Sequence, residues 1–364
     1  MIADTRRLVE TETPSSDHTA VAQGARDIVD LLNERIGAEP ETIVIDGVTH
    51  VRVRFGALAP KVVLLTHQDT VWPRGTLDRI PFSAQNGLLR GPGVFDMLTG
   101  LVMSIHATSI LAETGQNLEG LSILITGDEE VGSTTSSQLI LEETAEAEAV
   151  LVLEAAAEGA LKVARKGTSI YQVEVKGKAA HAGLEPEKGV NAGVALGMLL
   201  PQIAALAKPT LGTTVTPTVF SGGSTQNTVP DRGKVAVDVR AVTIAEQERV
   251  DQALHSLNSD VPGAAVTVHG GINRPPMPCS AAQDLFERAV SVADELGVDR
   301  PESAEVGGGS DGNFTAGAGI PTLDGMGAAG DGAHAEHEHV IIAQIPPRTA
   351  LLAGMIRSVL GGSE

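Results

Sequence analysis

LSILITGDEEVGS, residues 121–133, poses an electrostatic problem. Leu121 to Thr126 is a short apolar run of the kind that forms a buried strand, and it breaks at Gly127 into three adjacent carboxylates, Asp128, Glu129 and Glu130. Like charges crowded at a strand end repel one another. A cation must offset them, supplied by a basic cluster or a metal ion, and little basic charge lies nearby in the sequence. The stretch therefore points to a metal centre with hydrolytic chemistry, built around Glu129 and Glu130.

The same pattern recurs on either side. Lys61–Thr66 is a continuous apolar run ending at His67-Gln68-Asp69, and Ala149–Leu153 is another, ending at Glu154. Between them the spacing predicts helices at 17–36 (Asp17 as N-cap, Gly37 as stop), 97–113 and 137–146. Val51–Phe55 alternates like an exposed strand. Alternating strand and helix signals predict an α/β layer structure with a largely parallel sheet, in which ligands bind at the carboxyl ends of the strands. Three buried strands thus each end in a potential ligand.

The character changes near Gly167. Tyr171, Val173 and Val175 alternate with polar residues; helices are expected over 190–207, with Pro201 kinking or interrupting the first, and over 244–257. Strands are expected at 215–220, 234–240 and 264–269. Strand, helix, strand, strand, helix, strand is the ferredoxin-like order. The expected organisation is a catalytic domain from residues 1–166 and 275–364, with residues 167–274 inserted as an α+β domain. Helices near 281–296 and 348–360 complete the first.

Composition narrows the partners. A net charge of −20 argues against nucleic acid or an anionic membrane. The one cysteine, Cys279, excludes an internal disulfide and cysteine-based zinc fingers. The N-terminus lacks a signal-peptide core and no run of about 18 apolar residues is evident, so a soluble, cytoplasmic protein is expected.

Several residues carry candidate chemistry. His67 and Asp69 form a His-x-Asp unit, in which a carboxylate can hold the far nitrogen of a metal-bound imidazole. Asp96, in the Gly-rich stretch Gly91–Asp96 before a helix, is either an N-cap or a carboxylate able to bridge two metals. Glu129 and Glu130, in extended geometry, point in different directions, so one can bind metal while the other handles protons. His334, His337 and His339 share an acidic loop, and spacing alone does not choose among them. In the inserted domain, His181 sits among small residues. Asn227 lies in Gln226–Pro230. Arg240 suits bidentate capture of a carboxylate or a salt bridge with Asp238.

Taken together, His67–Val71, Gly91–Gly100, Gly127–Gly132, Gly177–Gly183, Gln226–Pro230, Asp238–Arg240, Gly307–Asp311 and Gly332–Glu338 resemble, in order, the motifs of the co-catalytic zinc aminoacylase/carboxypeptidase family. That family includes glutamate carboxypeptidases, acetylornithine deacetylases and succinyl-diaminopimelate desuccinylases, and the carboxypeptidase G-like branch is the nearest sub-pattern. The resemblance implies a zinc-peptidase-type α/β/α catalytic domain and a ferredoxin-like lid and dimerisation domain. It implies two zinc ions, with cobalt or manganese as substitutes. Asp96 would bridge them, Glu130 and His334 completing one site and His67 and Glu154 the other. Glu129 would be the general base and Asp69 would orient His67. His181 would reach into the partner subunit of a homodimer to stabilise the oxyanion. Asn227 and Arg240 would hold the substrate carboxylate, with Gly309 and Ser310 nearby. The implied reaction is cleavage of an amide next to a free α-carboxylate, releasing a C-terminal amino acid such as glutamate. An N-acyl-amino-acid deacylase of the acetylornithine type is the alternative. A catalytically silent binding protein is the rival from another class, and the complete set of ligands and base argues against it.

Overall fold

Val62–His67, Leu121–Thr126 and Ala149–Val152 are strands buried along their whole length, as continuous apolar runs require where a sheet is covered on both faces. In the computed structural model, which describes residues 1–361, they are the centre of a six-stranded sheet ordered Glu41–Ile45, Val48–Phe55, Leu121–Thr126, Val62–His67, Ala149–Val152, Thr322–Leu323. The last four are mutually parallel; Val48–Phe55 runs antiparallel on Leu121–Thr126. Successive side chains leave a strand on opposite faces. Leu64, Ile123 and Leu151 accordingly pack with helices His18–Ile36, Thr99–Glu113, Cys279–Leu296 and Ile345–Leu360. Val63, Leu65, Leu124 and Val150 turn the other way, to Leu139, Ile140 and Phe314. The layers are α/β/α.

This sheet belongs to a unit made of Met1–Ala164, Met277–Val306 and the residues from Ser310 on. The second unit is Arg165–Pro276 with Gly307–Gly309. Its four strands lie in the order Thr214–Gly222, Arg232–Ala241, Gly167–Lys176, Ala265–Arg274, all antiparallel, with helices Ala192–Ala204 and Ile244–His255 in the ferredoxin-like sequence order. Tyr171, Val173, Val235, Val237 and Val239 bury one face against Leu196, Leu199, Val250 and Leu254. The opposite face carries Ile170, Lys234 and His269 in the open.

Local signals act where they were read. The Asp17 carboxylate accepts from the Thr19 and Ala20 amides, and Gly37 ends the helix in left-handed geometry at φ 68°, ψ 26°. Four readings need correction. Val51–Phe55 lies inside the sheet, not at an exposed edge; Arg52 and Arg54 are turned to the buried carboxylate of Glu143, Arg52 at 3.0 Å and Arg54 at 2.5 Å, which gives their charge a partner away from bulk water. Pro201 does not interrupt its helix, which runs on to Ala204 with the proline inside it. Glu129 and Glu130 sit in a 3-10 turn, Glu129–Val131, not in extended chain. Finally, Val94–Glu113 is long and apolar enough to span a membrane by composition, but most of it is buried inside the protein, which makes it a core helix.

Candidate metal centre

The three strand ends bring their ligands together within the larger unit. His67 is 1 % exposed. Its Nδ1 lies 2.9 Å from the main-chain oxygen of Asp69; a carbonyl only accepts, so Nδ1 carries the proton and Nε2 presents its lone pair. That Nε2 stands 3.5 Å from both Asp96 Oδ1 and Glu154 Oε1. On the far side, His334 Nε2 is 3.3 Å from Asp96 Oδ2 and 3.2 Å from the Glu130 carboxylate. Asp96 therefore lies between the two imidazoles. His67, Asp96 and Glu130, and again His67, Glu129 and Glu154, place ligand atoms within 4.8 Å of one another. His337 and His339 lie apart, the first 3.9 Å from Asp331 and the second bonded to the His337 carbonyl at 2.9 Å.

The donor set fits a bound cation. Among the described residues, His67 Nε2 and Asp96 Oδ1 are buried polar atoms with no hydrogen-bond partner, and a lone pair facing two carboxylates is repulsive unless positive charge lies between. Protons show the same demand. Burial pulls the His67 pKa down, but the carboxylates of Asp69, Asp96 and Glu154 outweigh it and raise it well above 6.5. Hydrogen bonds to Asp96 and Glu130 lift His334 to about 10. Burial, with Asp96 adding repulsion, pushes the Glu130 carboxyl up.

The turns that present these groups are held by buried carboxylates whose partners sequence reasoning did not find. Asp69 is fully buried, and its carboxylate serves the glutamates more than His67: Oδ1 accepts from the Glu129 amide and Oδ2 from the Glu130 amide, each at 3.2 Å, with Ser15 Oγ at 2.6 Å. Its contact to His67 runs mainly through the backbone, the carboxylate oxygen being 3.5 Å away. Asp128 is a clamp on the following loop, accepting from Thr135 N (2.7 Å), Thr135 Oγ1 (2.8 Å) and Ser136 Oγ (2.6 Å). Asp96 caps no helix: Thr99–Glu113 starts after it with Leu98 at the N-cap position and no side-chain cap bond, and Asp96 stands in the preceding turn at φ −116°, ψ 94°. Gly93 opens this turn at φ 72°, where a side chain would also strike Thr70. Glu338 closes it. Its carboxylate accepts from Gly93 N (3.0 Å), Phe95 N (2.9 Å), Asp96 N (3.1 Å) and Trp72 Nε1 (2.8 Å); burial still pushes it up to about 7. Its place in a histidine-rich loop hid it, the one signal being an acid four residues after His334.

In the inserted unit, His181 and Asn227 are neighbours. His181 pairs with Thr228 in a β-bridge, and the Asn227 carbonyl accepts from the Ala182 amide at 2.8 Å. The exposed His181 ring takes the Gly183 and Leu184 amides on Nδ1 at 3.2 and 3.1 Å. Arg240 makes the salt bridge weighed from sequence, a fork onto Asp238 at 2.9 and 2.8 Å. Gly309 gives its carbonyl to Arg165 at 3.2 Å. Ser310, in the larger unit, is buried and its hydroxyl is bonded to Asp324 at 2.6 Å, so that side chain is turned inward.

Fold and site together define a metallohydrolase. The family description "Peptidase family M20/M25/M40" matches residues 63–358, and the chain belongs to that family. It is 31% identical to carboxypeptidase G2 of Pseudomonas sp. (strain RS-16) over 311 residues, 83% of this chain and 74% of that one. It is 28% identical to succinyl-diaminopimelate desuccinylase of Acinetobacter baylyi over 353 residues, 90% of each. Among solved structures, the M20 family metallo-carboxypeptidase Sso-CP2 from Sulfolobus solfataricus superposes with a TM-score of 0.77 at 16% identity, covering 98% of both chains. That last likeness shows the fold. The family is metal-dependent, and the donor set here fits that.

Proposed function

We propose that the protein is a dinuclear zinc amidohydrolase that cleaves an amide next to a free α-carboxylate and releases a C-terminal amino acid such as glutamate. The observation that carries this is the buried His67 Nε2, unpartnered and aimed at Asp96 and Glu154. Asp96 would bridge the two ions, His67 and Glu154 holding one, Glu130 and His334 the other. Bound there, the metals supply Lewis-acid polarisation of the scissile carbonyl and acidify a water. Glu129, held by its amide to Asp69, takes the proton of the attacking water and passes it to the leaving nitrogen.

In the inserted unit, Arg240 spends two of its five N–H groups on Asp238 and keeps the rest for the substrate carboxylate; Asn227, Gly309 and Ser310 are the other residues this reading assigns to the substrate. The same unit is the dimerisation surface in this reading. Its edge strand Thr214–Gly222 exposes Val219 at 67 % and Phe220 at 52 %, and its helix Ala192–Ala204 exposes Val194 and Met198; an apolar sheet edge of this kind calls for cover. His181 of the partner subunit would then stabilise the oxyanion. A cytoplasmic location accords with the exposed free thiol of Cys279.

The test is elemental analysis followed by a screen of zinc-loaded protein against N-acyl amino acids that vary at the C-terminal side. Two zinc ions per chain and faster hydrolysis of N-acyl-glutamate than of N-acetyl-ornithine are expected. Preference for the ornithine derivative moves the protein to the deacylase branch. No zinc and no amide hydrolysis leaves only a binding role.

A further inference from the structure

Glu338 is 1 % exposed, in a chain of net charge −20, within one turn of a site already crowded with carboxylates. Its four hydrogen-bond donors are all neutral N–H groups. A buried anion with no cationic partner is costly unless its lone pairs are taken up. Here they are: Oε1 takes the Phe95 and Asp96 amides and Oε2 takes Gly93 and Trp72. The amides need this acceptor because the turn at Asp96 is not helical and offers no carbonyl one turn back. An amide side chain cannot replace the carboxylate, since its NH2 would face two N–H donors.

One side chain therefore ties three segments together. It grows from the loop that carries His334, holds the backbone of Asp96, and reaches Trp72, five residues beyond His67. We infer that Glu338 is a positioning residue which sets the Asp96 carboxylate between His67 and His334, and which couples Trp72 to the state of that centre. The inference rests on the metal reading above. Its reach is toward spacing: a shift of the Glu338 carboxylate moves the Asp96 amide directly, and so changes both Asp96–imidazole distances together. Trp72 is the only tryptophan in the chain, so its emission reports on this one contact without labelling.

The experiment starts from wild-type protein stripped by a chelator and refilled with zinc, bound zinc being measured by elemental analysis. Trp72 emission should change and level off as the bound zinc does. In Glu338→Gln, zinc affinity should fall by about ten- to a hundredfold and emission should no longer follow zinc. The cobalt-substituted variant should show shifted d–d bands, a change in the ligand field that a general loss of stability does not produce, and kcat per bound metal should drop. Wild-type emission that stays flat while zinc binds overturns the coupling, whether or not the variant folds. Wild-type zinc affinity and cobalt bands in Glu338→Gln overturn the positioning role. A wild-type protein that takes up no zinc overturns this inference and the metal reading together, and the elemental analysis tells that case from the other two.

Discussion

In the larger unit the ionisable groups at the strand ends face one another under cover: His67, Asp69 and Glu154 are buried, and their turns are pinned by Asp69, Asp128 and Glu338. In the inserted unit the groups assigned to substrate lie at the surface. His181 is exposed on a loop stitched by main-chain bonds, and Arg240 is partly exposed and occupied by Asp238. The difference lies in what each region can do alone. Buried, oppositely polarised donors can be preorganised by their own fold, so little reorganisation is left for the moment of reaction. Exposed polar side chains keep their freedom until a ligand or a second chain fixes them, and the cost of ordering them falls on binding.

Glu129→Gln tests the preorganised side most severely. The variant should keep its metal and lose about 10²–10⁴-fold in kcat. Because Glu129 also stands in a ligand-like group with His67 and Glu154, metal content must be measured alongside; loss of metal would exchange the roles of Glu129 and Glu130. The assembled side is tested by mixing that variant with His181→Ala. If His181 acts in the partner's site, random hybrids carry one intact site in half the dimers, and activity should return to roughly a quarter of wild type. Two dead proteins that stay dead after subunit exchange contradict a shared site. The smallest effect is expected from Arg240→Lys, which keeps the charge and loses the fork: KM for N-acyl-glutamate should rise about tenfold with kcat little changed. An unchanged KM would assign Arg240 to Asp238 alone.

Much of the larger unit was legible because burial writes itself into sequence. A strand covered on both faces must be apolar throughout, so His67, Glu129, Glu130 and Glu154 stood out as chemistry placed where the apolar runs stop. The ferredoxin-like order of the inserted unit was readable for a related reason, its one-sided sheet alternating as Tyr171, Val173 and Val175 do. The supporting contacts were not legible, since each joins residues far apart in the chain. Arg52 and Arg54 looked solvated because Glu143 is some ninety residues on. Asp69 was assigned to His67, two residues away, while its carboxylate spans to the Glu129 and Glu130 amides sixty residues later. Three of the four donors to Glu338 are backbone amides, which have no signature in a sequence at all.

The edge strand Thr322–Leu323 pairs in parallel with Ala149–Val152, and the whole of the inserted unit, Gly307–Gly309 included, is encoded between them. As the ribosome delivers the chain, the inserted unit is complete before the larger sheet receives its last strand or His334 emerges. The first three ligand-bearing strands must therefore wait, with apolar faces and carboxylates only partly covered, while a neighbouring fold finishes. Such a nascent intermediate is the stage most exposed to aggregation and to chaperones, and a centre that includes His334 cannot assemble until that residue has followed the inserted unit out of the ribosome.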